Sequence, residues 1–270
     1  MPDPAELVTL AEDVAREAGA LLLDGLRRER DLVSTKTSLT DMVSEMDTAS
    51  EKLILERLAA ARPDDAVLAE EGGGRDGTSG VRWVVDPLDG TTNYLYAYPR
   101  WSVSIAAELD GEVVAAAVAD PSLDEVFTAT RGGGAFRNGD PIVHSGKVDV
   151  RTALVATGFS YVPERRAQQA QVLTRVLARI RDIRRGGAAS LDLCWLACGR
   201  VDGYYEAILQ PWDIAAGALI AAEAGAVVST FDGGPPEAPS IFGAAPAIAD
   251  GLLQLLVEAG VRESGVGSER

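Results

Sequence analysis

Apolar residues return at helical spacing through the N-terminal segment. Leu7, Leu10, Ala11, Val14, Ala18, Leu21, Leu22 and Leu26 predict a long first helix over 4–30. Residues 31–40 are polar and loop-like. A second helix follows from Ser44 to Ala61, with Met46, Ala49, Leu53, Ile54 and Leu58 on one side. The pattern then shortens. A strand over 66–69 runs into Glu70-Glu71, and 72–80 is a Gly-containing segment expected to be a mobile surface loop or plain hairpin connection. Residues 81–85 form a buried strand, and 101–109 and 112–119 are strands joined by the hairpin signal Asp110-Gly111. Short strands continue over 125–130, 133–137 and 142–144. The first half is thus two helices followed by a mostly antiparallel sheet.

The second half alternates. Strand 152–157 precedes helix 164–181 and a short strand over 183–185. Gly186-Gly187-Ala188-Ala189-Ser190 opens a helix that ends at Gly199. Its first N–H groups could bind an anion or a hydroxyl, or its small residues could serve close packing. Strand 201–207 carries Glu206. Pro211-Trp212-Asp213 starts another helix, with Asp213 read as its N-cap. Strands 226–230 and 241–248 and a helix over 250–259 close the fold, and 263–270 is expected to be a disordered tail. Without repeats or low-complexity linkers, residues 1–270 read as a single unit. Its halves are about 1–147 and 148–262.

Composition narrows the chemistry. The 41 Asp and Glu against 25 Lys and Arg give a net charge of −16, which opposes nucleic acid and anionic membranes as general partners. No signal-peptide pattern or membrane-length apolar run occurs, so a cytoplasmic location is expected. Cys194 and Cys198, at i and i+4 in an apolar helix, read as buried thiols of a reducing compartment. With His144 as the one histidine, a His- or thiolate-based zinc site cannot be assembled. A Ser-His-Asp triad would have to use His144.

The densest chemistry is Asp86-Pro87-Leu88-Asp89-Gly90-Thr91-Thr92-Asn93-Tyr94, at the end of strand 81–85. Pro87 stiffens the bend between the two acids, and Gly90 allows positive φ and close approach to a ligand. The two carboxylates can face one point, where they repel unless a proton or cation lies between them. An all-oxygen site of this kind suits Mg²⁺ or Mn²⁺. Helix or turn capping explains Asp86 and Asp89 equally well. If strand 66–69 pairs with 81–85, Glu70 arrives beside Asp86. Asp47, early in the second helix, complements the helix dipole on spacing alone.

Together these segments resemble the inositol monophosphatase family, magnesium-dependent and lithium-sensitive phosphomonoesterases. The Asp86–Tyr94 stretch resembles the first family signature, and Trp212-Asp213-Ile214-Ala215-Ala216-Gly217, running to Glu223-Ala224-Gly225, resembles the second. Glu70-Glu71-Gly72 matches the preceding acidic pair, and Lys36, Asp41 and Asp47 fit the N-terminal pattern. The resemblance covers the chain to about residue 259. It sets aside pure capping for Asp86 and Asp89 and makes capping alone insufficient for Asp213. Departures are Tyr94 where Phe is commoner, Gln210-Pro211 before Trp212, and Ala226 after Gly225.

The resemblance implies a mixed α+β fold, a layered α-β-α-β-α sandwich shared with the fructose-1,6-bisphosphatase-like superfamily, usually as a homodimer. It implies two to three Mg²⁺ ions, with Mn²⁺ a possible substitute and Li⁺ inhibitory. Glu70, Asp86 and the Leu88 carbonyl would hold one ion. Asp86, Asp89 and Asp213 would hold a second, and Glu70 with water a weaker third. Thr91 and Asp47 would be the activating pair beside Glu70. Gly90 and Thr91 amides would cradle phosphate, and Asp89, Gly187, Ala189, Glu206 and Asp213 would line the polyol side. The implied activity is hydrolysis of inositol 1-phosphate. The alternatives are a sibling phosphatase for fructose bisphosphate, histidinol phosphate or adenosine 3′,5′-bisphosphate, and a non-catalytic regulatory binding protein of the same fold. Thr92-Asn93 after the Gly-Thr pair, together with Glu206, favours the inositol branch.

Overall fold

The computed structural model describes residues 2–26, 33–35 and 42–262, with the backbone alone for 33–35 and 42–44. Lys36, Asp41, the helix extension to residue 30 and the tail 263–270 lie outside the described residues. The first apolar stripe forms α1 (Pro4–Gly25), capped by Asp3 Oδ1, which accepts from Ala5 N at 2.9 Å. A two-stranded ladder, β1 (Val33–Thr35) with β2 (Met42–Ser44), leads into α2 (Glu45–Ala61).

The first sheet contains β3 (Ala66–Ala69), β4 (Val81–Asp89), β5 (Ser102–Leu109), β6 (Glu112–Asp120), β7 (Glu125–Thr130), β8 (Gly134–Arg137) and β9 (Asp140–Pro141), in that spatial order. It is antiparallel except for the parallel pair β3–β4. Residues 142–144, expected as strand, lie beyond β9. A short α3 (Thr91–Leu95) follows β4. The second sheet runs β11-β10-β12-β14-β13: β10 (Leu154–Thr157), β11 (Asp182–Arg184), β12 (Gly203–Ala207), β13 (Val227–Ser229) and β14 (Ser240–Ala244). Its helices are α4 (Pro163–Val176), α5 (Ala189–Ala197), α6 (Pro211–Glu223) and α7 (Pro246–Glu258). Pro246, at the first helical position, starts α7 earlier than the expected residue 250, because proline there loses no helical hydrogen bond.

Strand alternation sorts the side chains into layers. Trp83, Val85, Ile105 and Ala117 face α1 and α2, whereas Val84, Ala106, Ala116 and Val118 face α5 and α6. The same middle helices cover the inner face of the second sheet, and α4 and α7 pack on its outer face around Val155, Phe242, Ile248 and Leu252. The result is the α-β-α-β-α sandwich, a mixed α/β architecture. Among the described residues no helix is long and apolar enough to cross a membrane. Both cysteines are free, Cys194 buried and Cys198 partly so.

Two local expectations change. The strand does not stop at Val85: β4 runs to Asp89, with its register against β5 shifting between Asp86 and Asp89. Pro87 is tolerated there because a bulge needs no ladder N–H from it. The 72–80 segment is exposed but tied down. Arg75 exchanges backbone hydrogen bonds with Val67, its guanidinium donates to the Arg62 and Asp65 carbonyls, and Ser79 Oγ donates to Asp65. Asp65 also accepts from Arg62 and from the Trp83 indole.

Candidate active site

The parallel pairing places Ala69 opposite Val85, so Glu70 and Asp86 leave neighbouring strands side by side. Around them opens a cavity of about 400 Å³. Its wall contains every site residue expected from the sequence: Asp47, Glu70, Asp86, Leu88, Asp89, Gly90, Thr91, Gly187, Ala189, Glu206 and Asp213. His144 is not in this wall; its Nδ1 accepts from Gly146 N in a surface turn, which removes the triad reading.

The bulge shapes the acidic turn. Asp86 Oδ1 accepts from Leu88 N at 3.0 Å, and Ser50 of α2 donates to the Pro87 carbonyl at 2.8 Å. Gly90 then takes φ +92°. A Cβ there would lie within 3.1–3.3 Å of the Arg100 and Gly187 carbonyls, so glycine is required by both conformation and space. Thr91 Oγ1 lies 3.2 Å from Asp47 Oδ2 and 3.1 Å from the Leu88 carbonyl. Asp47 lies in the first turn of α2, as the dipole reading expects, but it is 1 % exposed and turned to Thr91.

Asp89 is bound by the middle layer. It accepts from Ala189 N at 3.2 Å, Ser190 N at 2.8 Å and Ser190 Oγ at 2.6 Å. The first N–H groups of α5, read from the sequence either as an anion or hydroxyl site or as close packing, already hold the protein's own carboxylate. Asp213 is not the N-cap of α6. Gln210 holds that place, and Asp213 in the first turn accepts from Gln210 N at 2.7 Å. Glu206 accepts from the Tyr204 hydroxyl at 2.8 Å and rests on Gly158, where a Cβ would fall about 1.9 Å from its carboxylate.

Burial is the main cause of unusual protonation here. It raises Asp86 well above the ordinary range, with Glu70, Asp89 and Asp213 adding to it. Asp89 is raised by burial and partly restored by its Ser190 and Ala189 donors. Asp213 rises to about 8 through burial and the charge of Asp89. Glu206 reaches about 8 through burial, opposed by Tyr204. Among the described residues Arg185 is the one cation in the wall. Such a wall could hold hard cations: its carboxylates offer oxygen donors, and burial with mutual repulsion leaves them short of positive charge. Among the described residues no three acids, histidines or cysteines enclose an ion by themselves. The oxygen donors of Glu70, Asp86, Asp89, Asp213 and the Leu88 carbonyl are of the kind Mg²⁺ takes beside water and substrate oxygens.

Several participants were missed in the sequence. Glu51, one turn after Asp47, accepts from Glu71 N at 2.7 Å and Gly73 N at 3.1 Å, and so fixes the loop that carries Glu70. Its signal was the i, i+4 spacing from Asp47. Phe159, Ser160, Tyr161 and Val162 also line the cavity, and no local pattern announced them. Tyr94, unusual against the resemblance, is accounted for: its hydroxyl donates to the Leu22 carbonyl at 2.7 Å, and its ring meets Trp101 edge-on at 5.1 Å.

Two sheets of a five-layer sandwich thus bring buried carboxylates to one open cavity, with the Thr91–Asp47 pair on its edge, and make a candidate small-molecule site of oxygen donors. The chain belongs to the inositol monophosphatase family, whose model matches residues 3–260. It is 43 % identical to the Inositol-1-monophosphatase SuhB of Mycobacterium tuberculosis over 94 % of each chain. It is 40 % identical to the Nus factor SuhB of Pasteurella multocida, over 92 % of this chain and 94 % of that one. Among solved structures, the extragenic suppressor protein suhB of Bartonella henselae superposes with a TM-score of 0.88 at 37 % identity, covering 93 % and 98 % of the two chains.

Proposed function

We propose that the protein is a Mg²⁺-dependent phosphomonoesterase that hydrolyses inositol 1-phosphate to myo-inositol and phosphate. The observation that carries this reading is the convergence of Glu70, Asp86, Asp89 and Asp213 with the Thr91–Asp47 pair and Glu206 on one cavity wall. Glu70, Asp86 and the Leu88 carbonyl would hold one cation, and Asp86, Asp89 and Asp213 a second. When bound, such ions polarise phosphoryl oxygens and lower the pKa of water.

The chain's own residues do the rest. The Thr91 hydroxyl has one proton and two acceptors in reach, Asp47 and the Leu88 carbonyl. With Asp47 accepting its proton, the Thr91 oxygen would keep lone pairs free to orient a water together with Glu70. Water oxygen bonds to phosphorus as it gives up one proton to solvent, the bond from phosphorus to the polyol oxygen breaks, and that oxygen takes one proton from solvent, so the protons balance; no phosphoenzyme forms. The Gly90 and Thr91 amides would receive phosphate. Glu206 and the Gly187–Ala189 segment would receive hydroxyls, with the Ala189 N–H shared with Asp89. A cytoplasmic homodimer belongs to the same proposal, with subunit number read by sedimentation.

Phosphate release from myo-inositol 1-phosphate, titrated with Mg²⁺ from zero, tests the reading. Saturable, metal-dependent release is expected. No release from this substrate or from fructose bisphosphate, histidinol phosphate or adenosine 3′,5′-bisphosphate would refute it. That result would favour a second reading, a regulatory binding protein, which the relatives called Nus factor support.

A further inference from the structure

Arg100 lies outside the cavity wall, is 7 % exposed, and follows the acidic motif just before β5. Its guanidinium lies 3.6 Å from the Trp195 ring centroid, and its Nη2 donates to Asp192 Oδ1 at 2.5 Å. Both partners belong to α5, Asp192 to its first turn. Gly186 lies directly against the guanidinium: a Cβ there would sit 2.1 Å from Nε. Asn93 Nδ2 joins the two segments, donating to the Arg100 carbonyl at 2.6 Å and the Gly186 carbonyl at 2.9 Å. The segment so gripped supplies the Ala189 and Ser190 donors that hold Asp89.

We propose that Arg100 is a positioning residue. Through Asp192, Trp195 and Gly186 it sets the first turn of α5 against β4, and so fixes Asp89 and the Gly187–Ala189 segment for cation and substrate. This rests on the metal-dependent reading above. A purely structural pair would behave differently, because a buried ion pair can often be replaced by apolar residues at little cost in stability. A purely electrostatic role would differ too: deleting a cation beside an acidic site should tighten divalent binding, whereas loss of positioning should weaken it.

The test uses R100K, which keeps the charge but loses the planar fork and the stacking. R100M/D192L, which removes both charges, serves if R100K does not fold. Mn²⁺ alone is the probe, titrated by electron paramagnetic resonance. Amide hydrogen exchange at Ala189 and Ser190 is read without metal. Mn²⁺ binding weaker by about 10-fold is expected, the size of effect typical of groups that orient metal ligands. Exchange at the two amides is expected to quicken by about 10-fold as that turn loosens. Wild-type exchange and affinity within about twofold of wild type, in a folded variant, overturn the proposal. Failure of the wild-type protein to bind Mn²⁺ would instead overturn the metal reading, and the metal-free exchange would still decide for or against Arg100.

Discussion

Replacing Asp120 with Asn should make the protein more stable at neutral pH and leave it nearly unchanged near pH 4. Asp120 ends β6, is 1 % exposed, and accepts from Ser122 N at 3.0 Å and Leu123 N at 3.2 Å, both on Oδ1. An amide oxygen can accept both bonds, so Asp120→Asn removes the charge and keeps the turn. Burial raises the carboxyl from 3.8 to about 6 against those two donors, with Glu125 adding to it. The folded protein thus holds this proton more tightly than the unfolded chain does. Stability falls as pH rises from about 4 through 6, and above that window ionisation costs at most about 3 kcal/mol, at about 1.4 kcal/mol per tenfold in proton affinity. Urea unfolding of both proteins at several pH values isolates this group, because the other titrations are common to both. The stability gap should open by about 1–3 kcal/mol between pH 4 and pH 7.5. A gap that does not change with pH would refute the reasoning.

Asp89→Asn should abolish phosphate release and also lower stability by about 1–2 kcal/mol, because an amide NH₂ would face donors on one side; turnover near wild type would sink the site assignment. Glu206→Ala should raise KM for inositol 1-phosphate more than for an aryl phosphate, and equal losses on both would remove Glu206 from hydroxyl recognition. Gly158→Ala should mimic that selective loss, because its methyl displaces the Glu206 carboxylate; unchanged KM values for both substrates would contradict the packing.

Most of the wall was legible because its residues sit in contiguous motifs whose chemistry is visible in one dimension. Asp86 to Thr91 and Trp212 to Gly217 are such runs. Element types were legible for the same reason, periodicity being local. What escaped was set by tertiary contact. The extension of β4 through Pro87 depends on β5 accepting a shifted register. The anchoring of 72–80 depends on Arg75 reaching Arg62 and Asp65. The use of α5's first N–H groups by Asp89 joins residues 101 positions apart in the case of Ser190. Arg100 carries no motif at all; only the packing of Gly186 and Trp195 around it reveals its place.

The middle layer has a consequence for how the chain acquires its chemistry. α5 and α6 serve as the shared wall of both sheets, so neither sheet can bury its inner face until the other half has docked. Asp86 and Asp89 come from the first half, and Asp213 and Glu206 from the second. Closing such distant segments is entropically slow compared with forming hairpins and helices. Assembly of the cavity wall is therefore the last step of refolding, after the helices and local hairpins have formed. A nascent chain released before α6 has Asp47, Glu70, Asp86, Asp89 and Glu206 but lacks Asp213 and the helix that carries it.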